Sequence, residues 1–281
     1  MIATFVFALT LVSDIRNLAA KTEAIVGVAA YDFEKKRSIS IRGDESFPMA
    51  SVFKFPLAVE VLTRVDRGEL NLDQKYTLTE FSPGHSPIRD RAKGQSVTMT
   101  LRELIRTAVS DSDNSSGDYL VVLVTPAAVT ARMQKLGATR IRVDRPEKEI
   151  IPMFSRPGGV AEYAKDPRDT ATPDAAVALL RAVYDRNDGL KPSSHDFLMT
   201  TLTDSANPVR IAKRLPSGTR LAHKTGTMPG TMNDIGIVTS PDGKHHIAIA
   251  ILTKRATRAT EESREALISA IAKKIYDDWA R

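Results

Sequence analysis

The sequence predicts an α+β fold: one antiparallel sheet made from the N- and C-terminal segments, flanked by helices, with an all-helical subdomain inserted between them. Three observations predict it. Strand-like runs cluster at the two ends, "AIVGVAAYDF" and "RSISIRG" early, and "RLAHKTG", "NDIGIVTS" and "HHIAIAILT" late. The residues between them carry apolar positions at helical spacing. The strands do not alternate with helices, as a doubly wound parallel sheet would require. The expected boundaries are 1–46 with 207–281 for the sheet unit and 47–206 for the helical insertion.

Each element has its own justification. "MIATFVFALTLV" has about the length of a signal h-region but lacks a basic n-region and a small-x-small cleavage site. It reads either as a degenerate export signal or as the lead into a helix, "LVSDIRNLAAKTEA". It is too short to span a bilayer. "SVFKFPLAVEVLTRVDRGEL" repeats apolar residues at three and four and stops near Gly68. "TLRELIRTAVS" opens with Thr100 and Glu103 at capping-box spacing. "TPAAVTARMQKLG" has Pro at its start and Gly137 past its end. "TPDAAVALLRAVYDR", "SSHDFLMTTLTDS" and "TEESREALISAIAKKIYDDWA" are further helices. "PDGK" between the last two strands is a hairpin signal. Residues 144–170, "DRPEKEIIPMFSRPGGVAEYAKDPRDT", form one long irregular stretch. A loop of that length in a compact domain usually serves a function.

Bulk composition removes several function classes. The 281 residues are 42% hydrophobic and 26% charged, an ordinary globular composition. The net charge of +6 is spread thinly, which argues against a nucleic-acid partner. The densest basic run, "TKRATRAT" at 253–260, reads as a solvated loop. The absence of cysteine excludes disulfides, thiol catalysis and thiolate metal sites. There is no G-x-S-x-G elbow, no H-E-x-x-H helix and no phosphate-cradling glycine loop. Five histidines occur, His85, His195, His223, His245 and His246, and the adjacent pair would face opposite sides of a strand. No metal, cofactor or membrane span is expected.

One residue in the helical part is chemically out of place. Lys54 sits among Val52, Phe53, Phe55 and Leu57, where an unpaired ammonium is costly. On a helix, Ser51 and Lys54 share a face three residues apart. A desolvated lysine has a lowered pKa and can take a hydroxyl proton, which would make Ser51 a nucleophile. The alternative is a serine cap followed by a lysine that reaches back to solvent.

Two further stretches bear on that choice: Ser112-Asp113-Asn114 in "SDSDNSSGDYL", and Lys224-Thr225-Gly226-Thr227 in "AHKTGTMPG". In the order Ser-x-x-Lys, Ser-Asp-Asn, Lys-Thr-Gly, the set resembles the signature of class A serine β-lactamases and penicillin-binding proteins. The resemblance covers nearly the whole chain and includes the loop "DRPEKE". It implies a serine β-lactamase/transpeptidase-like fold and hydrolysis of a small-molecule β-lactam through a serine acyl-enzyme. It implies Ser51 as nucleophile, with the backbone N–H groups of Ser51 and Thr227 cradling the oxyanion. Lys54 and Ser112 would move protons, and Glu147 would activate water for deacylation. Asn114 would meet the substrate's side-chain amide. Lys224, Thr225, Gly226 and Thr227 would line the carboxylate side, with Arg210 at a position some relatives use. Arg145 and Asp169 match a salt bridge that closes the loop. Substrate preference would depend on pocket shape near Phe81, Thr227 and Met228. By the same resemblance the protein would be an exported monomer, periplasmic or secreted.

Two departures from the family pattern stand out. The family usually has asparagine four residues after the glutamate, where this chain has Ile151. The stretch from Arg145 to Asp169 is also longer than usual and contains "RPGG", leaving Glu149 as a second candidate base. Alternative readings are a D,D-peptidase, which usually lacks the loop glutamate, and a β-lactam sensor that acylates and stalls.

Overall fold

The computed structural model describes residues 2–204 and 209–280. In chain order the elements are α1 (Ile2–Ala19), β1 (Ile25–Asp32), β2 (Arg37–Ile41), β3 (Phe47–Pro48), α2 (Lys54–Asp66), β4 (Lys75–Leu78), α3 (Pro87–Ala92), β5 (Val97–Thr100), α4 (Leu101–Val109), α5 (Asn114–Val124) and α6 (Pro126–Lys135). They continue with α7 (Glu147–Ile150), α8 (Gly159–Tyr163), β6 (Thr170–Ala171), α9 (Pro173–Tyr184), α10 (Pro192–Thr203), β7 (Arg220–Met228), β8 (Thr231–Thr239), β9 (His246–Lys254) and α11 (Glu261–Trp279).

The antiparallel sheet runs β2-β1-β9-β8-β7 and joins the two ends of the chain. Both of its faces are covered, and β9 shows how alternation serves the two layers. Ile247, Ile249 and Ile251 enter a core shared with Leu11 and Ile15 of α1 and with Ile268, Ile271 and Ile275 of α11. Ala248 and Ala250 enter the opposite core, which contains α2, α4, α5 and α9. Leu11 and Ile15 are fully buried, so this part of the N-terminal apolar stretch is structural helix. Among the described residues no helix is long and apolar enough to cross a membrane.

The local signals act as their chemistry dictates. Thr100 and Glu103 form a complete capping box on α4. Pro126 begins α6 under a Thr125 cap. α2 ends at Asp66, and Gly68 then takes a positive φ of 75°. Two expectations need correction. The insertion is not purely helical, because it contains the ribbons β3–β6 and β4–β5. The 144–170 stretch is not structureless either. It folds as α7, a 3₁₀ turn over Ile151–Ser155, and α8. Pro146, Pro152 and the Pro157–Gly159 run interrupt these short helices, so no helical period accumulates.

The packing of α1 yields a direct test. Ile15→Ala leaves a cavity in the core between α1, the sheet and α11 and should cost about 2–5 kcal/mol. Urea denaturation followed by circular dichroism measures it. A loss under about 0.5 kcal/mol, the level of an indifferent surface site, would mean that α1 is not part of the folded unit.

Candidate active site

The site is organised around Lys54, whose side chain is 0% exposed. Ser51 lies in a 3₁₀ turn over Ala50–Phe53, and Lys54 opens α2 directly after it. Lys54 Nζ donates to Ser51 Oγ at 3.1 Å, to the Ser112 carbonyl at 2.9 Å and to Asn114 Oδ1 at 2.8 Å. It also pairs with Glu147 Oε2 at 2.8 Å. Ser51 Oγ in turn donates to Glu147 Oε1 at 2.8 Å. An ammonium has three N–H bonds, and each has an acceptor here. The hydroxyl proton of Ser51 is therefore directed at the carboxylate. Lys54 does not reach solvent, so the alternative of a snorkelling lysine fails.

Two glycines leave room for this arrangement. A Cβ on Gly117 of α5 would lie 2.7 Å from Lys54 Cε. A Cβ on Gly226 of β7 would lie 2.5 Å from the Met49 carbonyl and 3.1 Å from the Val52 nitrogen. The edge of β7 therefore lies directly against the turn that carries Ser51. Asn233 of β8, opposite Gly226 in the ladder, fixes that turn from below. Its Nδ2 donates to the Pro48 and Met49 carbonyls at 2.8 and 3.0 Å. Ala50, Ser112, Asp169 and Arg210 all have positive φ between 47° and 56°. Non-glycine residues adopt that conformation at a cost, and it collects at functional sites.

Lys224 reaches across from β7. It is 2% exposed and donates to Ser112 Oγ at 2.9 Å and to the Thr225 carbonyl at 3.0 Å. Burial, with the charge of Lys54 adding to it, pulls its pKa well below the ordinary lysine value. Ser51, Ser112, Asn114, Glu147, Thr225, Thr227 and Met228 all line one cavity of about 710 Å³. Ile151, Ser155, His85, Glu261 and Arg264 lie on its walls as well.

The loop that carries Glu147 is pinned at both ends. Arg145 Nε pairs with Asp169 Oδ2 at 2.8 Å, and its Nη2 with Asp166 Oδ2 at 2.7 Å. The segments before Ser51 and after Asp169 pair as β3 and β6, and Met49 N donates to the Asp169 carbonyl at 2.9 Å. Asp118 holds the start of α7. Its carboxylate accepts from Glu147 N at 2.6 Å, Lys148 N at 2.9 Å and Ser82 Oγ at 2.5 Å. Burial, and secondarily the negative charge of Glu147, raise its pKa.

Not every residue expected at the site lies on the cavity. Phe81 lines a separate cavity beside Tyr119, Val122 and Lys148, and its ring packs against the helical core. Its position is corrected accordingly: its chain segment is drawn toward α5 by Ser82, whose N–H donates to Ser115 Oγ and whose Oγ donates to Asp118. Arg210 is 7% exposed and stands behind the wall, with Nη2 donating to Thr227 Oγ1 and Nη1 to the Gly226 and Asn233 carbonyls. Glu149 is exposed and off the cavity, which removes it as an alternative base. No histidine hydrogen-bonds Ser51. Asp118 had a readable signal, four residues beyond Asn114 on the same helix face. Asn233 and Asp166 had none.

Comparison with known proteins agrees with this architecture. The family model described as "Beta-lactamase enzyme family" matches residues 10–279. The chain belongs to that family. Beta-lactamase VEB-1 of Pseudomonas aeruginosa is 32% identical, with 92% of this chain and 87% of that protein covered. Extended-spectrum beta-lactamase PER-1 of the same organism is 28% identical, covering 93% of this chain and 85% of its own. Among solved structures, a beta-lactamase from Chitinophaga pinensis superposes with a TM-score of 0.85 at 33% identity, covering 95% and 98% of the two chains. TLA-1 extended-spectrum beta-lactamase gives 0.86 at 30% identity, with 97% and 99% covered. An ancestral class A β-lactamase gives 0.81 at 32% identity, with 95% and 99% covered.

Asp118→Ala removes the acceptor for two backbone N–H groups at the start of α7. Folding stability should drop by about 1.5–3 kcal/mol, the scale of hydrogen bonds to a charged group. Amides of residues 147–155 should lose protection in hydrogen–deuterium exchange. Unchanged protection there would assign the fixing of Glu147 to the Arg145–Asp169 clamp alone.

Proposed function

We propose that this family member hydrolyses the amide of β-lactams through an acyl-enzyme on Ser51, with Glu147 as the general base for deacylation. One observation carries the reading. Ser51 Oγ stands between an ammonium that donates to it at 3.1 Å and a carboxylate that accepts its proton at 2.8 Å. A hydroxyl held this way is activated for attack on a carbonyl.

Ser51 Oγ bonds to the lactam carbonyl carbon while its proton passes to Glu147. The backbone N–H groups of Ser51 and Thr227 take the developing oxyanion. The C–N bond then breaks, and Ser112 gives its proton to the leaving nitrogen. Lys224, 2.9 Å from Ser112 Oγ, favours that transfer by its charge. The network of Lys54, Lys224 and Glu147 restores the hydroxyl's proton. Glu147, again a carboxylate, then deprotonates a water that attacks the acyl carbon; the bond from that carbon to Ser51 Oγ breaks, and Glu147 returns the proton to Ser51 Oγ as the acid product leaves. Its Oε2 keeps acceptor capacity for that water, since its contact with Lys54 is not a directed hydrogen bond. On the substrate side, Asn114 faces the amide, and Lys224, Thr225 and Thr227 face the carboxylate. An enzyme of this kind would act as an exported monomer, intercepting the antibiotic outside the cytoplasm.

Ile151 supports a second reading, a protein that acylates and stalls. It lines the same cavity as Glu147, and its Cδ1 would be 2.9 Å from a Cβ on Gly84. A methyl group cannot orient a water. Ser155 on the same wall supplies a hydroxyl, which favours turnover. Ser51→Ala should abolish covalent labelling by a penicillin in intact-protein mass spectrometry. Glu147→Gln should accumulate the acyl-enzyme, while the wild type shows little at steady state. A wild type that stays acylated with every substrate in a small panel would replace hydrolysis by sensing.

The state of Lys224 sets a pH dependence. Its ammonium form is the one that binds a carboxylate, and its lowered pKa means that this form is lost earlier as pH rises. kcat/KM for a carboxylate-bearing penicillin should therefore fall on the alkaline side at a pH below 10.5, the ordinary lysine value. Lys224→Arg should move that limb to higher pH, because guanidinium stays charged. A limb that does not move would belong to another group.

A further inference from the structure

One wall of the substrate cavity has a second cavity on its far side. That cavity measures about 350 Å³, and the proposed reaction uses none of it. The same segments form both sides of the wall. In the connection before α3, Gly84 and His85 line the substrate cavity while Phe81 and Ser82 line the second. On α5, Asn114 lines the first, and Ser115 and Asp118 the second. On α7, Glu147 and Lys148 divide in the same way. Hydrogen bonds stitch the segments together. Ser82 N donates to Ser115 Oγ at 2.9 Å, and Asn114 Nδ2 to the Pro83 carbonyl at 3.0 Å. The N–H groups of Glu147 and Lys148 donate to Asp118.

The lining selects the chemistry of a ligand. Val122 is 61% exposed, the one large apolar side chain left so open among the described residues. Alone it would need no explanation. Here it stands at the rim of a cavity that Phe81, Tyr119 and Leu123 also line, where an apolar guest removes several such surfaces from water at once. The charge on the lining is unbalanced. Asp118 and the exposed Glu80 are carboxylates, and the exposed Lys148 is the only cation. Asp118 Oδ2 accepts from Lys148 N and Ser82 Oγ, whereas Oδ1 accepts only from Glu147 N among the described residues. Oδ1 therefore retains a lone pair. Burial disfavours the charged form of this carboxyl, and a cation beside it would offset that. The volume lies near the lower end for small-molecule sites and suits one ring with a short chain.

We propose that this second cavity binds a small aromatic amine, whose ammonium engages Asp118 and so loosens the hold on Glu147. The ammonium competes with the N–H groups of Glu147 and Lys148 for the same carboxylate. It binds more tightly where Asp118 turns toward it and the start of α7 is released, so occupancy favours that state. Deacylation then slows while the substrate cavity stays open. Only this last consequence rests on the β-lactam reading of the site.

Phenethylamine is the probe, and phenylacetate, similar in shape and opposite in charge, is the control. Each is titrated against the wild type and Val122→Trp, with backbone amides followed by NMR. Phenethylamine should shift amides of residues 77–82, 115–123 and 147–148 saturably, with a Kd of about 1 mM, within reach of so small a molecule. Phenylacetate should bind about tenfold more weakly or worse, the scale of one charge-assisted contact. Val122→Trp sets a large ring at the rim and should abolish the shifts. Val122 does not line the substrate cavity, so penicillin turnover without amine should stay within about twofold. In the wild type the bound amine should speed hydrogen exchange of amides 147–155. It should also lower kcat for a penicillin about fivefold, the lower end of coupling between sites, without raising KM. The Ser51 acyl-enzyme should then accumulate in intact-protein mass spectrometry. Equal binding of phenylacetate, or no saturable shift by about tenfold above the expected Kd, overturns the site. A raised KM with unchanged kcat places the amine in the substrate cavity and overturns it too. Binding that changes neither exchange at 147–155 nor kcat overturns the link to Glu147. A wild type that penicillin does not label fails the β-lactam reading alone, because the shifts and the exchange are measured without substrate.

Discussion

The fully buried positive charge of Lys54 organises this protein. Placing the Lys54 ammonium away from water is prohibitive unless each N–H has an acceptor and a carboxylate lies close by. The three acceptors come from separate parts of the chain, the Ser51 turn, the carbonyl of Ser112 and the side chain of Asn114, and the pairing carboxylate is Glu147 of the loop. Gly117 vacates the volume that the lysine stem occupies. Satisfying the charge and assembling the chemistry are therefore the same event. A displacement of α5 or of the loop would strand the ammonium, so the geometry of Ser51 is held by an electrostatic penalty as well as by packing.

Around this centre, backbone strain is matched by anchoring. Ala50 precedes Ser51 with a positive φ, and Asn233 clamps the carbonyls of Pro48 and Met49 just before it. Asp169 is strained too, and it receives the N–H groups of Asp144 and Arg145 along with the Arg145 guanidinium. Arg210 is strained and spreads its donors over three acceptors. Each costly dihedral thus sits next to a polar group whose hydrogen bonds over-determine it.

Much of this was legible in the sequence, for identifiable reasons. Alternation in β9 and the helical period in α2, α4 and α9 are repeating signals, and they fixed the α+β arrangement and its sheet at the chain ends. Ser51 and Lys54 were legible because helical spacing brings them together whatever surrounds them. Ser112, Asn114, Lys224 and Thr227 were legible as short contiguous motifs. What stayed hidden depends on contacts between distant segments. Asp166 acts on Arg145, 21 positions away, and Asn233 acts on Met49, 184 positions away. Neither distance leaves a local pattern. Phe81 lay near the motifs in sequence but turned into the neighbouring cavity, because Ser82 anchors to Ser115 and Asp118. The short ribbons β3–β6 and β4–β5 are too brief to show a period.

The sheet that unites the chain ends also sets the order in which the molecule can be made. β1 pairs with β9 in a register that matches Ile25 with Lys254, so almost the whole polypeptide must be synthesised before that ladder closes. Closing so large a loop is entropically demanding, and non-local pairing of this kind is slow. Ser51, Lys54 and Glu147 leave the ribosome well before β7 brings Lys224. A chain that stops short of β7 can therefore contain Ser51 without the strand that packs against its turn.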